Sequence, residues 1–264
     1  MTDPVSRHNP DAVPSKRSDQ VGFRPKRFWK ASAIEAAGEG FSIQLDGRSI
    51  KTPGGDAMVL PHQALAEAIR SEWDAVTDHV NFEAMPLTRL AFTAIDRMPH
   101  VVDETVAEVL RYAETDLLAY PSDYPLALIA REAAVWRPWL DWAAGEGLVF
   151  VQNVTLIHAP QPAETMTRLE ARVRAMTAFE QAGLMSAVPL LGSVVLALAL
   201  YSGRLDGAEA FAVSRVGENF QAETWGRDEE AAARAKNIEN QAIGLEKWFA
   251  CLRPGDTILD IKKS

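Results

Sequence analysis

Eighteen residues from Leu184 to Tyr201, LMSAVPLLGSVVLALALY, are almost all apolar, and the rest of the chain must be arranged around them. Length alone would permit a membrane span. Ser186, Pro189, Gly192 and Ser193 interrupt the run, however, and no basic flank sets an orientation across a bilayer. A helix that is apolar all round is also what the centre of a helical core requires. The run is therefore expected to be one buried helix, with no membrane insertion.

The segments that could surround it are readable from their periods. Leu65, Ile69, Trp73 and Val76 form one helical stripe after Pro61, which fits a first helical turn. A second helix opens at Pro86, with Leu87, Leu90, Ala94, Ile95 and Met98 at three- and four-residue spacing. Asp103 to Leu118 and Ala127 to Ala144 are amphipathic, and Leu148 to Ile157 reads as a short extended segment. Further helices are expected over Ala163 to Thr177, Asp206 to about Phe220, and Asp228 to Leu252. Gly203 suits a C-cap, and Asp206 with Glu209 has the form of a capping box.

The N-terminal part has a different period. Phe28 to Ile34 looks like a first strand, Gly38-Glu39-Gly40 a turn, and Phe41 to Leu45 alternates apolar and polar residues. Asp46-Gly47 supplies the two positive-φ residues of a tight hairpin, returning along Arg48 to Thr52, and Met58 to Leu60 adds a further strand. The fold class is thus α+β: a small N-terminal domain with a β-meander plus helix, then a larger multihelical C-terminal domain. Residues 1–25, with Pro4, Pro10 and Pro14 among scattered charges, are expected to be a disordered leader. The small domain is assigned to 26–85 and the helical domain to 86–264.

Charge and motif content then remove several function classes. Seven Lys or Arg against three Asp in residues 1–30 turn the chain's net of −9 into −13 for residues 31–264. So acidic a body repels phosphate backbones and is not expected to bind nucleic acid. Cys251 is the only cysteine, which leaves no internal disulfide and no Cys-based zinc site. The N-terminus lacks an apolar signal core, and Asp3, Asp11 and Asp19 are foreign to a transit peptide, so a bacterial cytoplasmic protein is expected. A phosphate-cradling loop is missing, as is a Gly-x-Ser-x-Gly elbow, and Ser193 lies within the apolar run. The histidines lack a partner at ligand spacing; His100 with Asp103 is the nearest approach, and reads as a surface residue beside a helix start.

Carboxylates remain. The stretch GENFQAETWGRDEEAAARA, Gly217 to Ala235, holds Glu218, Glu223, Asp228, Glu229 and Glu230 around Trp225. Paired carboxylates can carry acid/base or dinuclear metal chemistry if held a few ångströms apart. Glu218 and Glu229 converge only if a turn at Gly226 folds one helix back on the other, and Glu-x-x-His is absent. Glu114 and Asp116 are expected on different faces of a helix. Trp73, Trp136, Trp139 and Trp248 sit on apolar stripes and belong to the core, whereas Trp225 either plugs an inter-helix joint or meets a partner. The residues alone leave partner surface and solvated helix both open, with a metal hydrolase as the alternative from another class.

Seven ordered motifs then carry a resemblance: KRFWK (Lys26 to Lys30), LDGRSIKTP (Leu45 to Pro53), LPHQALAEAIRSEWD (Leu60 to Asp74), MPLTRLAFTAIDR (Met85 to Arg97), ETDLLAY (Glu114 to Tyr120), GSVVLALAL (Gly192 to Leu200) and ENFQAETWGRDEEAAAR (Glu218 to Arg234). Together they resemble the F-type ATP synthase assembly chaperones that handle the α subunit of the catalytic sector, a mitochondrial and alphaproteobacterial family. The resemblance implies a two-part fold and a non-enzymatic chaperone, without cofactor, metal or small-molecule substrate. It would bind free α subunit and shield the surface destined for the β subunit; a eukaryotic member would act in the mitochondrial matrix. A generic holdase is the competing chaperone reading. The implied partner-binding residues are Glu218, Gln221, Trp225, Asp228, Glu229 and Glu230. Departures include Ser49 where the family has Pro and Ala119 where it often has Cys. The family also places two acids after Ser-Arg-Leu, whereas Ser214-Arg215-Val216 is followed here by Gly217 and Glu218. Either Glu218 carries that role alone or the partner surface has shifted.

Overall fold

The computed structural model describes residues 25–154, 159–226 and 228–253; the leader up to Arg24, His158 and the end of the segment expected to run to Ile157 lie outside them. The α+β order is as expected: among the described residues, four short strands precede ten α-helices. The strands are β1 (Ser32–Ala37), β2 (Gly40–Leu45), β3 (Arg48–Ser49) and β4 (Val59–Leu60). The central strand β2 pairs antiparallel with β1 along its whole length, from Ser32 opposite Leu45 to Ala37 opposite Gly40. Asp46 and Gly47 both have positive φ, 49° and 77°, which is the twist a two-residue hairpin needs.

The expected return strand to Thr52 is broken. β3 pairs with Gln44 and Leu45, and β4 resumes the same edge of β2 at Phe41 and Ser42. Between them Lys51 bridges Ala57 and Thr52 N–H donates to the Asp56 carbonyl, so Pro53-Gly54-Gly55 closes a second, nested turn. The first strand also starts later than Phe28. Asp46 accepts hydrogen bonds from the N–H groups of Lys30 and Ala31, which holds that stretch off the ladder. Trp29 is buried instead against Trp73, 5.4 Å between centroids, and edge-to-face contacts continue through Phe82 to Phe92. Such aromatic pairs add about 0.5–1.5 kcal/mol each beyond their burial. They bind the segment leading into β1 to the first two helices.

Those helices are α1 (Gln63–Asp74) and α2 (Pro86–Asp96). Pro86 occupies the first turn of α2 as expected, whereas Pro61 lies two residues ahead of α1. Glu72 on α1 reaches over to accept from the N–H groups of Leu87 and Thr88 and from the Thr88 hydroxyl, at 2.7–2.9 Å. One helix thereby caps the free N–H groups of the next. The following helices are α3 (Val102–Glu114), α4 (Leu126–Gly145) and α5 (Ala163–Ala175). Leu148 to Val154 joins no strand ladder, because Gln161 donates to and accepts from the backbone of Val151 and occupies the edge a partner strand would need.

The apolar run is two helices rather than one: α6 (Ala178–Leu191) and α7 (Val194–Tyr201). Gly192 adopts φ 66° and ends α6, and the Ser193 hydroxyl accepts from Leu196 N–H to start α7. The break is secured by Asp116, which is completely buried. Its carboxylate accepts from the Ser193 hydroxyl (2.8 Å), from Val194 N–H (2.7 Å) and Val195 N–H (3.2 Å), and from Leu118 N–H (3.0 Å). Because α3 stops at Glu114, Asp116 lies past the helix end and not on a helix face. Every residue of α7 from Val194 to Leu200 is buried, and α3, α4, α6 and two later helices pack around it. Each fully buried Leu or Val there is worth roughly 1.5–3 kcal/mol. Among the described residues no helix is long and apolar enough to cross a membrane.

Those later helices are α8 (Gly207–Ser214) and α10 (Glu229–Leu252), with α9 (Val216–Trp225) between them. The expected capping box is present, with Asp206 accepting from Glu209 N–H at 2.7 Å. The helix expected from Asp206 to Phe220 is broken at Arg215, so α8 and α9 are separate. Gly207 stands where a Cβ would be 2.5 Å from the backbone of Ile243, so α8 can cross α10 this closely only through a glycine. Trp73, Trp136 and Trp248 are buried and Trp139 is partly buried against the same cluster.

Candidate partner groove

The helix α9 is held to the body by little. Within it only Val216 is buried, and its outer end is fastened by Arg131 of α4, which donates to Glu223 at 2.7 Å and lies 5.1 Å from the Phe220 ring centroid. Gly226, at φ 96°, then turns the chain out of α9. Asp228 caps α10 by accepting from the N–H groups of Glu230 and Ala231. From Glu229 to Arg234 the first turns of α10 are exposed. The result is an open groove of about 910 Å³ bounded by α8, α9 and α10.

Four of the six residues expected at a partner surface line this groove: Glu218, Gln221, Trp225 and Asp228. Glu229 and Glu230 are exposed at the start of α10 and lie outside the lining, with Glu230 paired to Arg234 at 3.0 Å. Trp225 does not plug the joint, for it is 77% exposed at the groove's margin. Glu218 is held by Arg215 at 2.5 Å in the first turn of α9, where an acid complements the helix dipole. Gly217 precedes it with open space around its Cβ direction, so the backbone would admit an acidic side chain there.

The small apolar residues that line the groove were not among those expected. Ala208, Phe211 and Ala212 contribute from α8, and Ala231, Ala232 and Ala235 from α10. Small residues four apart on adjoining helices were the available signal. The acids of the stretch are spread along two helices, and among the described residues no group of three His, Cys, Asp or Glu stands close enough to hold a metal ion.

Known proteins share this architecture. The family model described as ATP12 chaperone protein matches residues 26–144. A curated relative, the mitochondrial protein atp12 of Schizosaccharomyces pombe, is 27% identical over 225 residues, covering 80% of this chain and 77% of its own. The crystal structure of Atp12 from Paracoccus denitrificans superposes with a TM-score of 0.82 at 39% identity, over 86% of this chain and 98% of that one. A crystal structure of a protein from Agrobacterium tumefaciens matches with the same TM-score at 35% identity, over 87% of each chain.

Proposed function

Because this chain belongs to the ATP12 chaperone family, we propose that it is an assembly chaperone of F-type ATP synthase that binds the free α subunit through the groove between α8, α9 and α10. Trp225 carries the reading. A tryptophan 77% exposed beside a groove lined by alanines and Phe211 leaves a large apolar side chain in water, and burial against a partner would remove that cost. Tryptophan is also enriched among the residues that dominate interface energies. The acids at the margin discriminate among partners by charge and speed encounter with a basic strip. In this reading the chaperone shields the face of the α subunit destined for the β subunit, and β displaces it by competing for that face. It acts in the bacterial cytoplasm, without a catalytic step.

Capture of purified α subunit by a Glu218→Lys variant tests the site. Reversing this exposed charge is expected to reduce capture about tenfold at low ionic strength, with the deficit shrinking as salt screens it. A Glu218→Gln variant should fall between the two. Undiminished capture by Glu218→Lys would remove Glu218 from the site.

A further inference from the structure

The walls of the groove restrict what can occupy it. All three are α-helices, whose backbone N–H and C=O groups are already bonded within each helix except at the ends. An extended segment laid into such a groove would bury its own backbone groups without partners, at about 1–3 kcal/mol for each one left unsatisfied. A helix brings its backbone bonds with it. The wall surfaces fit the same occupant: Ala208 and Ala212 on α8, and Ala231 and Ala235 on α10, are small pairs four residues apart. Such pairs leave shallow holes between side-chain ridges, into which another helix sets residues at the same spacing.

Length and charge follow from the same walls. The α10 side runs from Asp228 to Glu239, which at 1.5 Å per residue is about 16 Å, or three helical turns. Asp228 lines one end of that wall, with Glu229 and Glu230 exposed just beyond the lining, while the other end carries Lys236 paired to Glu239 at 2.8 Å and so close to neutral. We propose that the groove accepts one amphipathic α-helix of the client, about three turns long, apolar on its inserted face and basic at the end lying against Asp228. This inference rests on the client-binding reading above and deepens it.

The test uses the full chain carrying the photo-crosslinker p-benzoylphenylalanine at Ala235, inside the groove, or at Ala233, exposed and outside its lining. Each is irradiated with purified α subunit and the crosslinked peptides are mapped by mass spectrometry. The Ala235 probe is expected to label a single α-helix of the α subunit with Lys or Arg at one end, at least tenfold more strongly than the Ala233 probe. A synthetic copy of that helix, constrained to remain helical, should displace the α subunit at least tenfold better than a copy interrupted by proline. Labelling of a strand or loop, equal labelling from both probes, or equal displacement by both peptides would overturn the helical occupant while leaving client binding intact. Absence of any capture of α subunit would overturn the client reading and this inference together.

Discussion

Replacing Asp116 with alanine is expected to lower the unfolding free energy by about 3–5 kcal/mol, the range for removing one member of a buried charged network. The side chain is completely buried, and four donors converge on it, one from Leu118 close by in sequence and three from the distant Ser193, Val194 and Val195. Its loss would strand the Ser193 hydroxyl and the first N–H groups of α7 in the most apolar part of the molecule. Urea unfolding of the two proteins measures the difference, and a loss below about 1 kcal/mol would show that α7 is held without this cap. The pH dependence supplies a second sign. Burial raises the carboxyl to about 6 from an ordinary 3.8, against the opposing pull of its donors. The folded state therefore binds this proton more tightly than the unfolded chain. The stability contributed by that proton is fully present below pH 3.8 and is lost as pH rises through about 6. An Asp116→Asn variant lacks the titration, so its stability relative to the wild type should rise between about pH 4 and 6.

Trp225→Ala should act on binding and spare the fold. The side chain is 77% exposed at the end of α9, so its removal leaves no cavity in the core and the melting temperature is expected to stay within about a degree or two. Truncating an aromatic anchor at an interface typically costs about 2–4 kcal/mol, which is roughly a 30- to 1000-fold weaker dissociation constant for the α subunit. Calorimetric titration gives that constant directly. A change of less than about threefold would place the anchor elsewhere.

Local chemistry was the legible part of the fold. Asp46-Gly47, the Asp206 and Glu209 capping box and Pro86 at a helix start are each decided by residues within a few positions of one another. The broken third strand, the split of the apolar run and the role of Asp116 depend on partners far along the chain. Ser193 is 77 residues from Asp116, and no periodicity connects them. Glu72 is similar, since a charge on an amphipathic helix reads as solvated until α2 is placed against it. At the groove, Trp225 stood out because it broke the pattern of charged neighbours. The alanines that line it did not, because small residues on a helix look the same whether they face water or a partner.

The function proposed above requires the chain to select free α subunit and give it up to β. Equilibrium binding of the purified chain to isolated α and β subunits, followed by addition of β to the preformed complex with α, probes both properties in one series. Binding of α at least a hundredfold tighter than β is expected, with release of the chaperone as β is added. Equal affinity for the two subunits, or an α complex that β leaves intact, would rule this function out.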